Sequence, residues 1–175
     1  MRSPTRLDFS HPQLEIVQGD ATSVTDVDGA VERSKAVISV LGEAVNSPHD
    51  IYSLGVSNIV ESMKKHGVRR LVCLSDYGNG ETRNKGLYSR FIWLIIRAHL
   101  EDKEKMENTV RSSGLAWTIM RATILTDGPK SASYRAGPEI KVGLVPRISR
   151  HDVADLMVRQ LEDDSSIGLA LSISQ

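Results

Sequence analysis

Residues 36–41 of the chain read AVISVL and residues 70–75 read RLVCLS, and these two apolar runs decide the fold class. Runs of this kind are typical of strands that are buried on both faces of a parallel sheet. Between them, residues 48–66 repeat apolar and small side chains at spacings of three and four, which indicates an amphipathic helix that Gly67 can end. The order strand, helix, strand therefore predicts a βαβ unit.

The same alternation continues on both sides of this unit. Further strands or extended segments are predicted at residues 14–17, 116–120, 141–148 and 169–173. Further helices are predicted at residues 23–33, 88–113 and 149–161. Ser23 and Ser149 are suitable N-caps for the first and last of these helices. Because strands alternate with crossover helices, we predict an α/β fold, a doubly wound parallel sheet in a single domain of residues 1–175.

The composition argues against several classes of protein and partner. Of the 175 residues, 40% are apolar and 25% are charged, as in an ordinary globular domain. Lysine plus arginine number 22 and aspartate plus glutamate also number 22, so no nucleic acid or membrane partner is expected. The most apolar run, residues 91–96, is much shorter than the roughly 20 residues of a membrane span.

Location and metal content can also be predicted from residue types. Residues 1–9 are polar and do not form the apolar core of a secretion signal. Cys73 is the single cysteine, which suits a reducing compartment, and its apolar surroundings predict a buried, inert thiol. The five histidines show no metal-ligand spacing. We therefore expect a cytoplasmic protein without a metal site.

Glycines and polar residues follow the predicted strands, where ligands bind in open α/β sheets. These positions are Gly19-Asp20-Ala21, Leu41-Gly42, Ser75-Asp76-Tyr77 and Arg121-Ala122-Thr123. A glycine allows a ligand to approach the backbone, and a carboxylate such as that of Asp20 can accept from an adenine amine or a ribose hydroxyl. The alternative is that Gly-Asp forms only a turn and a helix cap.

Five segments occur in an order that carries a family resemblance. They are residues 14–20 (LEIVQGD), 36–42 (AVISVLG), 55–70 (GVSNIVESMKKHGVRR), 103–121 (KEKMENTVRSSGLAWTIMR) and 147–153 (RISRHDV). Together they resemble the atypical short-chain dehydrogenase/reductases, in the branch of NmrA-like proteins and biliverdin-IXβ or flavin reductases. The resemblance covers nearly the whole chain and implies a Rossmann domain that binds NAD(P).

The resemblance implies a set of cofactor contacts. Arg2 matches the arginine that meets the 2′-phosphate of NADP, so NADP is favoured over NAD. Asp20 and Ala21 match the element beside the adenine, and Leu41 and Gly42 match the segment beside the adenosine ribose. The remaining expected contacts with the cofactor are Ser75, Lys103, Ala122 and Thr123.

The resemblance also implies three candidate catalytic residues. Ser75 matches the serine that faces the nicotinamide and the substrate. Lys103 matches the lysine of the Tyr-x-x-x-Lys motif, where it can hydrogen-bond the nicotinamide ribose, but the tyrosine position is His99. His99 can in principle donate a proton, since imidazoles titrate near neutrality. The alternative is that both are solvated residues on a charged helix.

One element of the family is absent from this sequence. Members begin with a strand, a GxxGxxG turn, a helix and a second strand, and no such glycine turn occurs in the 175 residues. That turn holds the cofactor's pyrophosphate on backbone N–H groups. The resemblance therefore implies an N-terminally truncated Rossmann fold, for which a truncated gene model, a fragment and a divergent isoform remain alternative explanations.

The absent strands bear on the predicted sheet. In the usual strand order they lie between the strands at residues 14–17 and 36–41, so the latter becomes an edge. A long apolar edge favours pairing with another chain. We therefore expect marginal stability or self-association through this edge. The alternative is that residues 14–17 pair directly with residues 36–41.

The leading functional prediction is an NAD(P)H-dependent reductase that transfers hydride to a small planar acceptor such as a flavin, a quinone or a tetrapyrrole. The expected partner is thus a small-molecule substrate. One alternative is a non-catalytic, NmrA-like dinucleotide sensor. Another is a truncated chain that binds no cofactor.

Overall fold

A five-stranded sheet organises the chain, in the order β1-β2-β3-β7-β5. The computed structural model describes Pro4, residues 7–42 and residues 50–175. The strands are β1 (Ala36–Ser39), β2 (Arg70–Asp76), β3 (Ala116–Ala122), β4 (Ile124–Thr126), β5 (Arg135–Gly137), β6 (Arg147–Ser149) and β7 (Leu169–Ser174). The helices are α1 (Val24–Val31), α2 (Ile51–His66), α3 (Gly86–Ile95), α4 (Arg97–Ser112) and α5 (Arg150–Gln160).

The sheet is mainly parallel, as the sequence predicts. β1 pairs with β2, β2 with β3 and β3 with β7 in parallel, and only the short β5 is antiparallel to β7. β4 and β6 form a separate parallel pair. The short β4 and β5 were not predicted, because three residues are too few to show a period.

The core forms two layers, one on each face of the sheet. Leu71 and Cys73 of β2 belong to one layer and the intervening Val72 to the other, since successive strand residues face opposite sides. The first layer includes residues of α1, α2 and α4, and the second includes residues of α5. Burial raises the pKa of Cys73 to about 11, in agreement with the predicted inert thiol.

The helix ends follow from local sequence. The Ser23 and Ser149 hydroxyls accept from the third backbone N–H of α1 and of α5, at 3.3 and 3.0 Å. Gly67 ends α2 with φ +71°, a left-handed conformation that favours glycine. Both N-cap predictions and the predicted end of α2 are confirmed.

Several predicted elements are wrong or too long. Residues 14–17 form no strand, and Leu14, Ile16 and Val17 are 40–43% exposed. Within the described residues, β1 pairs with β2 alone. The alternative prediction, that residues 14–17 pair directly with β1, is therefore wrong, and without a hydrogen-bonded neighbour these residues form no strand. The predicted helix at residues 88–113 is two helices, because Ile96 adopts φ −122° and ψ 41°. Of the predicted extended segment, only Arg147 and Ile148 belong to a strand.

Within the described residues, every helix is too short or too polar to cross a bilayer.

Asp28 joins α1 to α2 through three side chains. It accepts from Lys65 Nζ at 2.7 Å and from Ser62 Oγ at 3.2 Å, and it lies 2.9 Å from His66 Nε2. The bonds from Lys65 and His66 lower the pKa of Asp28 to about 2. Its contribution to stability is therefore present above the ordinary pKa near 3.8 and is lost as the pH falls toward 2.

We expect Asp28→Asn to lower the free energy of unfolding at neutral pH, and the difference from wild type to shrink between about pH 4 and pH 2. Urea denaturation at a series of pH values measures this difference. A difference that stays constant across that range would contradict the assignment.

The outer edge of β1 is open within the described residues, as the sequence predicts. Val40, directly after β1, is 60% exposed.

We expect self-association through this edge, measured as a sedimentation coefficient that rises with concentration. Val40→Lys should abolish the rise, while Val24→Lys, at an equally exposed position on α1 (68%), should leave it unchanged. Wild-type protein that is monomeric at all concentrations would refute edge pairing.

Candidate functional site

A cleft of about 340 Å³ opens at the carboxyl end of β1. Its lining includes Gly19, Asp20, Ala21, Leu41 and Gly42. Four of these five are predicted cofactor contacts. The structure thus brings the sequence-predicted adenosine-binding residues Asp20, Ala21, Leu41 and Gly42 together in one cleft, which is consistent with their proposed role.

Hydrogen bonds shape the wall that carries Asp20. The carboxylate of Asp26 accepts from the backbone N–H of Asp20 at 2.8 Å, and Asp20 in turn accepts from Thr22 N and Thr22 Oγ1 at 2.9 Å each. A Cβ at Gly19 would stand 2.8 Å from the Cβ of Asp26, so this turn requires glycine. The Gly19-Asp20 turn, which was the alternative interpretation of this segment, is therefore present. The residues of this turn also line the cleft.

Helix α2 closes the cleft from the side. Asn58 donates from Nδ2 to the carbonyl of Ala21 at 3.0 Å. A Cβ at Gly55 would lie 2.7 Å from Leu41 Cδ1 and 3.2 Å from the Cβ of Ala21. The missing side chain at Gly55 therefore lets α2 approach the ends of both wall segments.

A second cleft, of about 410 Å³, adjoins the same strand end. It shares Val40, Leu41 and Gly42 with the first cleft, and the rest of its lining comes from the α5 side of the sheet, including Leu74 and Met157. Within the part of the chain that the structure describes, no heavy atom of a non-neighbouring residue lies within 4 Å of the position that a Cβ at Gly42 would take. The backbone at the end of β1 is thus open to close approach by a ligand.

Charged and aromatic side chains meet at the carboxyl end of β2. His99 Nε2 lies 2.7 Å from Asp76 Oδ2, and the His99 ring packs edge-on against Tyr52 with centroids 4.9 Å apart. Lys103 donates from Nζ to the carbonyl of Leu74 at 3.1 Å, and its ammonium lies 4.0 Å from the centre of the Tyr52 ring. We call Asp76, His99, Lys103 and Tyr52 the β2-end cluster.

The pKa values of this region reflect its charges. Burial alone would raise the pKa of Asp76, but the bond from His99 and the charge of Lys103 outweigh it, so the pKa is lowered. Burial, with a smaller contribution from the charge of Asp76, raises the pKa of Tyr88 to about 12. At neutral pH the cluster therefore contains an ionised carboxylate, and Tyr88 keeps its proton.

Ser75 lies beside this cluster but belongs to a different network. Its hydroxyl is fully buried and donates to Glu107 Oε1 at 2.7 Å. Arg121 donates from Nε and Nη2 to the same carboxylate at 2.9 and 2.5 Å, and its Nη1 lies 2.5 Å from Glu81. Arg121 and Glu107 are 1% and 3% exposed, so this is a buried ion pair.

Within the described residues, neither of these two clefts joins all four residues that were predicted to share one, Asp20, Gly42, Ser75 and Lys103. Asp20 and Gly42 line the first cleft, whereas neither cleft is lined by Ser75 or Lys103. The two groups are adjacent through α2, because Ile51 lines the first cleft and the next residue, Tyr52, covers Lys103. Ser75 and Lys103 lie outside these clefts because both side chains are held in the interior, Ser75 by Glu107 and Lys103 by the Leu74 carbonyl.

The remaining predicted contacts have the following positions. Ala122 is 3% exposed and its carbonyl accepts from Tyr77 N at 2.8 Å. Thr123 is 4% exposed and donates from Oγ1 to the carbonyl of Ile173 at 3.4 Å. Arg2 lies outside the described residues. Among the described residues, no three histidine, cysteine or acidic side chains are grouped to hold a metal ion.

The partners Asp76, Tyr52 and Glu107 were not assigned from the sequence. Asp76 follows Ser75 directly, so its position at a strand end was visible, but its bond to His99 spans 23 residues. Glu107 lies four residues after Lys103, and this spacing on one helix face was the available signal. Tyr52 carried no signal, since its position over Lys103 depends on how α2 packs against α4.

Comparison with known proteins identifies the family. The family model described as NAD(P)H-binding matches residues 1–164. The chain belongs to this NAD(P)H-binding family. Its fold is similar to those of solved structures that include a Rossmann-fold NAD(P)-binding family protein and a short-chain dehydrogenase/reductase, as the resemblance implied.

Three relatives illustrate the similarity. A protein of Arabidopsis thaliana described as uncharacterized and chloroplastic is 28% identical over 163 residues, which cover 89% of this chain but only 58% of the relative. A short-chain dehydrogenase/reductase of Veillonella parvula, solved in complex with NADP, has a TM-score of 0.76 at 18% identity over 99% of this chain and 76% of its own. ChuY of Escherichia coli O157:H7, described as an anaerobilin reductase, has a TM-score of 0.76 at 19% identity over 90% and 73%.

Removal of the Glu107 charge should destabilise the protein strongly. In Glu107→Gln the guanidinium of Arg121 stays buried without its main counter-charge, and we expect a loss of about 3 kcal/mol in the free energy of unfolding. Glu104→Gln is the matched control on α4, because Glu104 is partly exposed and pairs with Arg83 at 3.3 Å. The control should lose less than about 1 kcal/mol.

Urea denaturation measures both losses. Equal, small losses in the two variants would show that Glu81 alone can neutralise Arg121.

Proposed function

We propose that this protein is an NADPH-dependent reductase that transfers hydride to a small planar acceptor such as a flavin, a quinone or a tetrapyrrole. The observation that carries the proposal is the position of the β2-end cluster next to the glycine-lined cleft, in a chain of the NAD(P)H-binding family. The cluster contains a lysine and an imidazole that is bonded to a carboxylate, which are groups suited to hold a ribose and to deliver a proton.

The cleft at the end of β1 fits the adenosine half of the cofactor. Its wall offers the open backbone of Gly42, and the carboxylate of Asp20 lies in the same lining. Asp20, Ala21, Leu41 and Gly42 would hold this half, and Arg2 would meet the 2′-phosphate that distinguishes NADPH.

When bound, NADPH supplies the hydride. Lys103 has three N–H donors, of which one is used by the Leu74 carbonyl, so its ammonium can also donate to ribose hydroxyls. The ring of Tyr52 packs against the Lys103 ammonium and so restricts the position of that ammonium.

By the family resemblance, His99 matches the position of the tyrosine, and it would donate the proton. Its side chain is 25% exposed, so the ring is accessible from solvent, and Asp76 fixes the orientation of the ring through Nε2. Imidazoles as a class change protonation near neutral pH, which suits proton delivery there. Ser75 is assigned a supporting role, since its hydroxyl is engaged by Glu107.

One observation favours a second candidate, a dinucleotide sensor without turnover. Ser75 and Lys103 are 0% and 3% exposed, so two of the three candidate catalytic groups have little open surface. A sensor would need the adenosine cleft but no access to these groups.

The proposed location is cytoplasmic, with a small molecule as substrate. The Arabidopsis relative is described as chloroplastic. Microscopy of the fluorescently tagged full-length protein distinguishes the two locations.

Two variants test the proposal when NADPH binding is measured by fluorescence and NADPH oxidation is followed with flavin, quinone or tetrapyrrole present. His99→Asn should lower the oxidation rate about 100-fold and leave the Kd for NADPH unchanged, because it removes only the proton donor. Lys103→Met should raise the Kd about tenfold, because it removes bonds to the cofactor. Lys105→Met, an exposed lysine on the same helix, is the control and should change neither value.

The possible results separate the candidates. Tight NADPH binding without oxidation of any acceptor would favour the sensor. Failure to bind NADPH or NADH would refute both functions.

A further inference from the structure

The outer side of α3 exposes a continuous row of large apolar side chains. Leu87, Phe91, Leu94 and Ile95 are 69%, 62%, 84% and 60% exposed. Their spacing of four, three and one residues puts them on one face of the helix. We call these four residues the α3 apolar face. Exposed apolar patches of this kind mark surfaces that bind a partner.

The opposite side of α3 is held by the protein, so the helix cannot turn to bury its apolar face. Tyr88 and Ser89 are 8% and 0% exposed. Trp93 donates from Nε1 to the carbonyl of Gly78 at 2.6 Å, and the Arg83 guanidinium lies 3.8 Å from the centre of its ring. The face is therefore a fixed feature of the folded surface.

A second segment extends the apolar surface. Val142 and Leu144 line a small cleft together with Leu87. Leu144 and Val145 are 73% and 61% exposed. The exposed apolar surface thus continues from α3 onto residues 144–145.

Basic side chains outnumber acidic ones along the two segments that form this surface, although Glu139, directly before the second segment, pairs with Lys85 at 2.8 Å. Residues 83–100 contain four lysines or arginines and no acidic residue, and residues 140–149 contain Lys141 and Arg147 and no acidic residue before Arg150. Arg83, Lys85 and Arg97 pair with acidic side chains from outside these segments. Arg90 lies one helical turn after Leu87, a member of the α3 apolar face. Its side chain is exposed and has no ion-pair partner among the described residues.

We propose that the α3 apolar face and residues 144–145 dock onto an anionic lipid surface, with α3 lying in the plane of the interface. A helix with exposed leucine, isoleucine and phenylalanine, flanked by arginine and lysine, has the composition of interfacial helices. The apolar side chains enter the boundary between headgroups and acyl chains, while the cations contact the anionic headgroups. The zero net charge of the chain conceals this local excess, which is why the composition argued against a membrane partner.

Charge complementarity favours lipid over a second copy of the chain. In a two-fold contact centred on this face, Arg90 of one copy would lie near Arg90 of the other, and Glu139, the acidic side chain beside this surface, is already paired with Lys85. An anionic bilayer matches both the apolar and the cationic part of the surface. The proposal is independent of the enzymatic function, because it needs neither the cofactor nor the β2-end cluster.

Flotation of the full chain with vesicles tests the proposal. We expect wild-type protein to bind vesicles of phosphatidylcholine with phosphatidylglycerol, and to bind pure phosphatidylcholine vesicles much more weakly. Leu94→Glu should reduce binding to the anionic vesicles more than about tenfold, since it removes an inserted apolar side chain. Arg90→Gln should reduce it about fivefold, and should not change the weak binding to neutral vesicles.

Val158→Glu is the matched control. Val158 is 58% exposed on α5, so the same kind of substitution on another surface helix should leave binding unchanged. Because Cys73 is buried, a Leu94→Cys variant can be labelled selectively with an environment-sensitive fluorophore, and its emission should shift to the blue on anionic vesicles alone.

The remaining outcomes overturn the proposal. No binding to anionic vesicles, or equal binding of wild type and Leu94→Glu, excludes docking through this face. A dimer that Leu94→Glu dissociates, without vesicle binding by wild type, assigns the face to contact between copies of the chain.

Discussion

The buried ion pair between Glu107 and Arg121 is the interaction on which the position of α4 depends. Glu107 also accepts from Ser75, so one carboxylate joins α4 to the carboxyl ends of both β2 and β3. Two ions held in a dry interior have lost their hydration, and their mutual bonds, together with the bond from Ser75 and the pairing with Glu81, compensate for that loss. Such a pair tolerates little displacement, and it therefore sets the register of α4 against the sheet.

Two further charged residues on the same side of α4 extend this attachment. Asp102, 2% exposed, accepts from the backbone N–H of Tyr52 at 2.8 Å and from Ser53, and so caps the first turn of α2 from another helix. Lys103 bonds to β2. Because Asp102, Lys103 and Glu107 bind three different elements, the β2-end cluster stands on a rigid base, and His99 one turn earlier shares this support. Positions that are held in this way suit groups that must meet a cofactor with little freedom.

In contrast to α4, which is bonded to three other elements, the end of β1 has few bonds to the rest of the protein among the described residues. β1 has its one described pairing with β2, and the clefts on its two sides share Val40, Leu41 and Gly42. An edge strand with open backbone leaves room for a ligand or another strand. The cleft lined by Leu41 and Gly42 and the exposed edge are thus two consequences of the same open strand.

The sequence by itself determined the parallel α/β architecture, because buried strands and amphipathic helices each carry a period that local residues display. It also predicted that Asp20, Ala21, Leu41 and Gly42 line one cleft, since they follow strands or strand-like segments whose ends are visible in the chain. Tertiary structure alone decided that Leu14–Val17 stays outside the sheet, because a strand exists only with a neighbour. It also separated Ser75 from the cleft and paired His99 with Asp76, since those bonds join residues 32 and 23 positions apart, beyond the range of any local period.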